Sequence, residues 1–326
     1  MTLDDILHDE LKPNMIFNNQ SFSIKLSAAL TIIIFIGGLI NSILSLITFQ
    51  SKECLKTGCG MYLLASSITS FVTISMLSIK FWFVVLSRIN VSTSLSVLRG
   101  GCVSIEVILK IFLYLDGWLN GCIAIERAMN VFKGVNFDKE KSKYFARRIL
   151  FILPFCIIIT FIHELIYRRL FVYQTEIDER YVSCVTHYSS AIQDYNTTIL
   201  FFHLIVPFLA NVCSALYIIF GVARQRSVAQ TGQTFSEHVR KQFKEHKQLI
   251  ISPIILLVLS IPRLIISLLP GCVKTSEKLW LYLSAYFISF IPSMLIFIIF
   301  VVPSEFYMKT FKQSLKNIRQ RICTRQ

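Results

Sequence analysis

The chain has 326 residues, of which 54% are hydrophobic and only 16% charged, and its formal net charge is +14. Its mean hydropathy is +0.61. Soluble domains carry about 25% charged residues, so this composition excludes an ordinary soluble core and points to a polytopic membrane protein.

At the start of the chain, Met1–Phe22 is polar and carries Asp4, Asp5, Asp9 and Glu10. It lacks the apolar centre of a cleavable leader, so the first apolar stretch is expected to act as its own insertion signal. A helix needs about 20 predominantly apolar residues to cross about 30 Å of hydrocarbon. Seven stretches reach that length: Ser27–Phe49, Met61–Leu86, Cys102–Ile125, Ile149–Tyr167, Thr197–Val222, Leu249–Pro270 and Leu279–Val302. The expected fold is an all-α membrane protein, a seven-transmembrane helix bundle over residues 27–302 preceded by an N-terminal segment over 1–26. The connecting segments are brief and leave no room for a separate catalytic domain. No internal repeat is visible and no interrupted helix is expected, which argues against a transporter. After the last stretch, Ser304 is placed to N-cap a helix with Glu305 in its first turn. Phe311, Leu315, Ile318 and Ile322 then recur at helical spacing among lysines and arginines. Residues 303–326 therefore predict a short amphipathic helix on the inner leaflet, with a tail.

Most of the 33 lysines and arginines fall after the first, third, fifth and seventh stretches. Basic segments are retained in the cytoplasm, so the pattern sets the N-terminus outside and the C-terminus inside a multi-pass protein of the cell membrane. The same face suits anionic lipid of the bilayer, and this distribution does not suit nucleic acid. Three sequons, Asn19-Gln20-Ser21, Asn90-Val91-Ser92 and Asn196-Thr197-Thr198, lie in segments placed outside, which makes Asn19, Asn90 and Asn196 candidate glycan acceptors. Asn196 is the one nearest the membrane. Of the 9 cysteines, only Cys102, Cys184 and Cys272 lie near the oxidising outer face, enough for one pair and one spare. Cys54, Cys59, Cys122, Cys156 and Cys213 read as small apolar filler. No metal-ligand spacing and no catalytic cluster is visible, so an enzyme is not expected.

Ionisable groups within membrane-spanning stretches are costly and mark function by default. Here they include Lys80, Glu106, Lys110, Asp116, His203 and Arg263. Cys102, Glu106 and Lys110 step by four and share one helical stripe, so Glu106 and Lys110 can pair with each other. Asp116 has two readings: a protonated carboxyl donating one hydrogen bond, or part of a cation or water site.

The third stretch carries the strongest motif, with Cys102 opening it and Glu126-Arg127 closing it. Asn41 in Gly38-Leu39-Ile40-Asn41, Pro207 in the fifth stretch, Pro262 in the sixth and Pro292 in the seventh complete a pattern covering essentially the whole chain. It resembles the rhodopsin-like (class A) G-protein-coupled receptors, in a divergent form similar to invertebrate peptide or chemosensory receptors. Several motifs depart from that family: Glu126-Arg127-Ala128, Leu259-Ser260-Ile261-Pro262 and Ile291-Pro292-Ser293-Met294-Leu295 replace its usual triplets and turns, and Ser70 stands where it has an aspartate. Ala285 stands at the position of an opsin's retinal lysine. The resemblance implies a Cys102–Cys184 disulfide, with Cys272 as the rival for one place. It implies that Glu126 pairs with Arg127 at rest and releases it toward a heterotrimeric G protein, with Glu245 as a further candidate partner. Pro207, Pro262 and Pro292 become helix kinks. Asp116, Ser70 and Asn41 become a polar core that rebuilds a cation site, with sodium as the ion. Lys80, Glu106, Lys110, His203, Arg263 and Tyr286 become a ligand pocket whose surplus of basic groups suits an anionic molecule or peptide end. The function implied is a receptor passing an extracellular peptide or small anionic ligand's signal to a G protein. The alternative is a seven-helix transporter or channel-type chemoreceptor.

Overall fold

Apolar runs close into helices because a backbone among apolar side chains must satisfy its own N–H and C=O groups. In the computed structural model, which describes residues 21–89, 94–174, 180–229, 254–255, 258–259, 261 and 279–323, the first five runs become α1 (Phe22–Phe49), α2 (Gly58–Ile89), α3 (Leu95–Lys133), α4 (Lys139–Tyr167) and α5 (Ser190–Ala229). Each is longer than its apolar run, because polar flanks continue the helix. Ser94 starts α3, its Oγ accepting from Val97 N at 3.4 Å. Asp138 starts α4 by accepting from Glu140 N and Lys141 N, both at 3.1 Å. The Lys141 N–H, first among these neighbours, holds the Asp138 carboxyl below its ordinary range. Gly134 ends α3 at φ 50°, a conformation that strains any residue with a Cβ.

Among the described residues, four helical segments, Phe22–Phe49, Gly58–Ser87, Lys139–Tyr167 and Ser190–Ile218, are long and apolar enough to cross a membrane. α3 has the length but carries Glu106, Lys110 and Asp116; it is the hub, packed against α2, α4 and α5. Large apolar side chains such as Ile33, Phe151, Ile159 and Ile166 stay exposed on the outer faces of α1 and α4. That surface is compatible with an all-α protein set in lipid. The sixth apolar stretch lies largely outside the described residues, as do Asn19, Asn90, Glu245, Pro262, Arg263 and Cys272.

Two expectations change. The seventh stretch is interrupted: α6 (Leu279–Ile288) ends in a turn at Ser289 and Phe290, α7 (Ile291–Met294) follows, and Phe297–Val301 is wound as a π-helix. Pro292 is the cause, since its ring crowds the carbonyl of Ile288 and it has no N–H to donate. The segment after α4, read from sequence as a loop, contains an antiparallel hairpin of β1 (Arg168–Gln174) and β2 (Arg180–Thr186), in which Leu170 faces Cys184. Its Phe171-Val172-Tyr173 and Tyr181-Val182 runs are strand-forming. The hairpin is fixed to α3 by the Cys102–Cys184 disulfide, with Cα atoms 5.6 Å apart, as the family pattern implies.

Among the described residues, two large clusters and a small one of Ala128 and Ile218 form the core. One large cluster gathers Ile24, Ile74, Leu77, Phe81, Leu109, Phe287 and Phe290. The other gathers Phe49, Leu63, Leu115, Leu119, Phe161, Phe297 and Phe300, and α8 (Glu305–Cys323) packs on it through Tyr307, Met308 and Phe311. Ser304 N-caps α8 as the sequence predicts, its Oγ accepting from Tyr307 N at 3.3 Å. Leu315 is exposed, so only part of the amphipathic stripe is covered by protein.

Close helix approach sets a testable limit. A Cβ on Gly60 would overlap the Cys54 carbonyl, whereas one on Gly100 would meet nothing within 4 Å. Overpacking of this kind costs about 1–3 kcal/mol. Gly60→Ala should therefore lower the thermal midpoint of the purified protein in detergent, with Gly100→Ala as the silent control.

Candidate functional site

A buried carboxylate must be given hydrogen-bond donors or it costs several kcal/mol. Asp116, 2% exposed on α3, receives three. Ser66 and Ser70, one turn apart on α2, donate to its Oδ1 at 2.7 and 3.2 Å. Ser293, presented by the short α7 beyond Pro292, donates to Oδ2 at 2.7 Å. The carboxyl group thus ties three elements together, with three hydroxyls in hydrogen-bond reach. The pairing with Ser70 agrees with the sequence reading; Asn41 does not join it. Asn41 instead accepts from Phe297 N at 3.0 Å, taking up a backbone donor in the irregular segment that follows the Pro292 break.

Beside this knot lies a cavity of about 70 Å³ whose lining includes Asp116, Asn120, His203, Pro207, Asn211 and Ser293. Asn211 donates to Pro207 O at 2.8 Å, in the turn that follows the proline. The buried Oδ1 atoms of Asn120 and Asn211 have no partner. Together with Asp116 they make an acceptor-rich wall that fits water or a hydrated monovalent cation, and the volume is about that of two waters.

His203 belongs to this region rather than to an outer pocket with Lys80 and Glu106. Trp118 Nε1 donates to His203 Nδ1 at 2.9 Å, which leaves Nε2 to carry the proton toward Thr160 Oγ1, also at 2.9 Å. Thr160 in turn donates to Ile157 O at 2.7 Å. Tyr114, Phe161 and Phe202 pack around the ring. His203 is therefore a satisfied, neutral core histidine.

The charged stripe on α3 is paired across helices. The Glu106–Lys110 pair that spacing allows is replaced by Lys80–Glu106 at 3.3 Å and Lys110–Glu164 at 2.6 Å, and Glu164 also faces Arg168 at 3.5 Å. Glu164 is fully buried, so its second cation offsets a large desolvation cost. Arg168 is buried beside Cys184, and its Nε has no partner. Lys80 and Lys110 thus spend their charge on carboxylates, and the basic surplus is smaller than the sequence implies. Tyr286 packs against Phe290, with ring centroids 5.3 Å apart, and its hydroxyl is buried without a partner.

At the other end of α3, Glu126 and Arg127 act on each other electrostatically, and each also has partners of its own. Glu126 accepts a short hydrogen bond from Ser142 Oγ. The Arg127 guanidinium lies 5.0 Å from the centre of the Phe300 ring. Both line a pocket of about 190 Å³ with Thr57, Cys59, Phe137 and Tyr307. Asn196 lies within α5, its Oδ1 3.1 Å from His163 Nε2; a sequon asparagine held in a helix is not presented as the loop acceptor that glycosylation needs.

Sequence reasoning missed Ser66, Ser293, Glu164, Asn120 and Asn211. Ser66 precedes Ser70 by one helical turn, and Glu164 precedes Arg168 by one turn; those spacings were the available signals. No protein-family model matches this chain, and no curated protein matches it either.

Removing one member of a buried ion pair strands the other, at a cost of about 3–5 kcal/mol. Lys80→Met and Glu106→Met should each destabilise the protein strongly, while the two combined should recover most of the loss. A double-mutant cycle on thermal midpoints reads the coupling.

Proposed function

We propose that the chain is a divergent seven-helix receptor of the rhodopsin-like type, N-terminus outside, that passes an extracellular ligand's signal to a heterotrimeric G protein. The observation that carries this reading is the Asp116 knot. One carboxylate joins α2, α3 and α7 beside a small cavity with unpartnered amide oxygens. A ligand acts on such a bundle only through its different affinities for two arrangements, and this knot is made in one and broken in the other. The outer candidate for ligand contact is the charged set of Lys80, Glu106, Lys110, Glu164 and Arg168, where three cations face two carboxylates. That balance favours a peptide or small molecule with a net negative charge. The inner candidate for G-protein contact is the pocket around Arg127.

A transporter is the second reading, and the interrupted seventh segment favours it, since broken helices beside a polar cavity are common in that class. The absence of a visible repeat in the sequence weighs the other way. Cells carrying the chain with promiscuous G-protein reporters, screened against peptides and small anions, separate the two. A receptor should give a ligand-dependent signal that Arg127→Ala abolishes. A signal indifferent to that substitution, or ligand uptake into vesicles without any reporter response, would sink the receptor mechanism.

The acceptor-rich cavity fits a monovalent cation held by Asp116 with Asn120 and Asn211. Agonist affinity should then depend on sodium concentration, and Asp116→Asn should abolish that dependence. An affinity independent of sodium in the unmodified chain would remove the cation from the account and leave the serine-bound carboxylate alone.

A further inference from the structure

The pocket around Arg127 has one wall that comes from outside the bundle. Its lining includes Phe306 and Tyr307, both from the first turn of α8. Tyr307 is held there from several sides. Its backbone N–H is capped by Ser304 Oγ at 3.3 Å. Its ring meets the fully buried Phe49 of α1 edge-on, with centroids 5.4 Å apart. Its hydroxyl lies 3.9 Å from Cys59 Sγ at the start of α2, and the Arg127 guanidinium interacts with both of these groups. The Cys59 thiol is thus part of a polar contact across the pocket rather than apolar filler. Across the same pocket, Glu126 is 5% exposed, accepts from Ser142 Oγ and lies against the backbone N–H groups of Gly58 and Cys59.

We propose that Tyr307 is the gate of this pocket: it closes over Arg127 by bridging α8 to Cys59, and withdrawal of the first turn of α8 opens Arg127 and Glu126 to a cytosolic partner. The proposal rests on the receptor reading for its partner but not for its geometry. Ser304 and Phe49 fix the hinge side of the turn, and the Tyr307–Cys59 contact is the latch.

The latch can be read without any ligand. Membranes holding the full chain are treated with a small maleimide, and mass spectrometry of the peptide bearing Cys59 gives its labelling rate. Tyr307→Phe keeps the ring on Phe49 and removes only the hydroxyl, and it should speed labelling about fivefold, the effect of one lost hydrogen bond. Tyr307→Ala should speed it further. The buried Cys54 must stay unlabelled in both, which separates opening of the gate from unfolding. Equal Cys59 rates in all three proteins would overturn the gate. In the reporter cells, Tyr307→Phe should raise ligand-independent signalling at unchanged surface level, and an unchanged basal signal in a chain that does respond to ligand would overturn its regulatory role. Faster labelling together with no reporter response from any variant under any ligand would support the gate and count against the receptor reading alone.

Discussion

Placing charge where water is scarce is the constraint around which this structure is arranged. An unpaired carboxylate or ammonium in such surroundings costs several kcal/mol, and α3 carries five such groups along one helix: Glu106, Lys110, Asp116, Glu126 and Arg127. Their partners come from several neighbours. Lys80 comes from α2, Glu164 from α4, Ser293 from α7, and the Phe300 ring from the π-wound segment. The apolar clusters supply most of the burial, but they are permissive about which helix lies where. The polar partners are not, because a buried charge moved away from its partner is left unpaired at high cost. This is how buried polar groups specify a packing even where they add little net stability.

The partners also divide the molecule along its length. At the hairpin end the pairs are ionic and close-set, and the disulfide adds a covalent restraint. Around Asp116 the partners are hydroxyls and amides beside a small cavity, with acceptors left over. At the α8 end a guanidinium rests on aromatic and thiol groups around a larger pocket.

Much of the fold was legible because hydrophobic length is a strong signal: the first five helices fall where the apolar runs put them, and Ser304 caps α8 as its residue type predicts. The break in the seventh run was less legible, although Pro292 was in view, because proline inside an apolar run bends some helices and interrupts others. The hairpin was hidden because the run after Tyr167 is short and flanked by charges. Within the site, single residues were found and their partners were not. Asp116, Glu106 and Lys110 stand out as charges in apolar sequence, and Ser70 was reached through the family pattern. Ser66 and Ser293 are ordinary serines until folding sets them beside a carboxylate. Glu106 and Lys110 show the limit of spacing arguments: a permitted pair one turn apart lost to better partners on other helices.

The contact between Asn41 and Phe297 closes a separation of 256 positions, and that between Ser293 and Asp116 one of 177. A ribosome delivers the first helix long before the segment that completes it. Until then the amide of Asn41 and the carboxylate of Asp116 must be tolerated by lipid, water or the insertion machinery. Assembly is therefore sealed from the end of the chain backward, and a truncated product should be retained by quality control even when every earlier helix has been inserted.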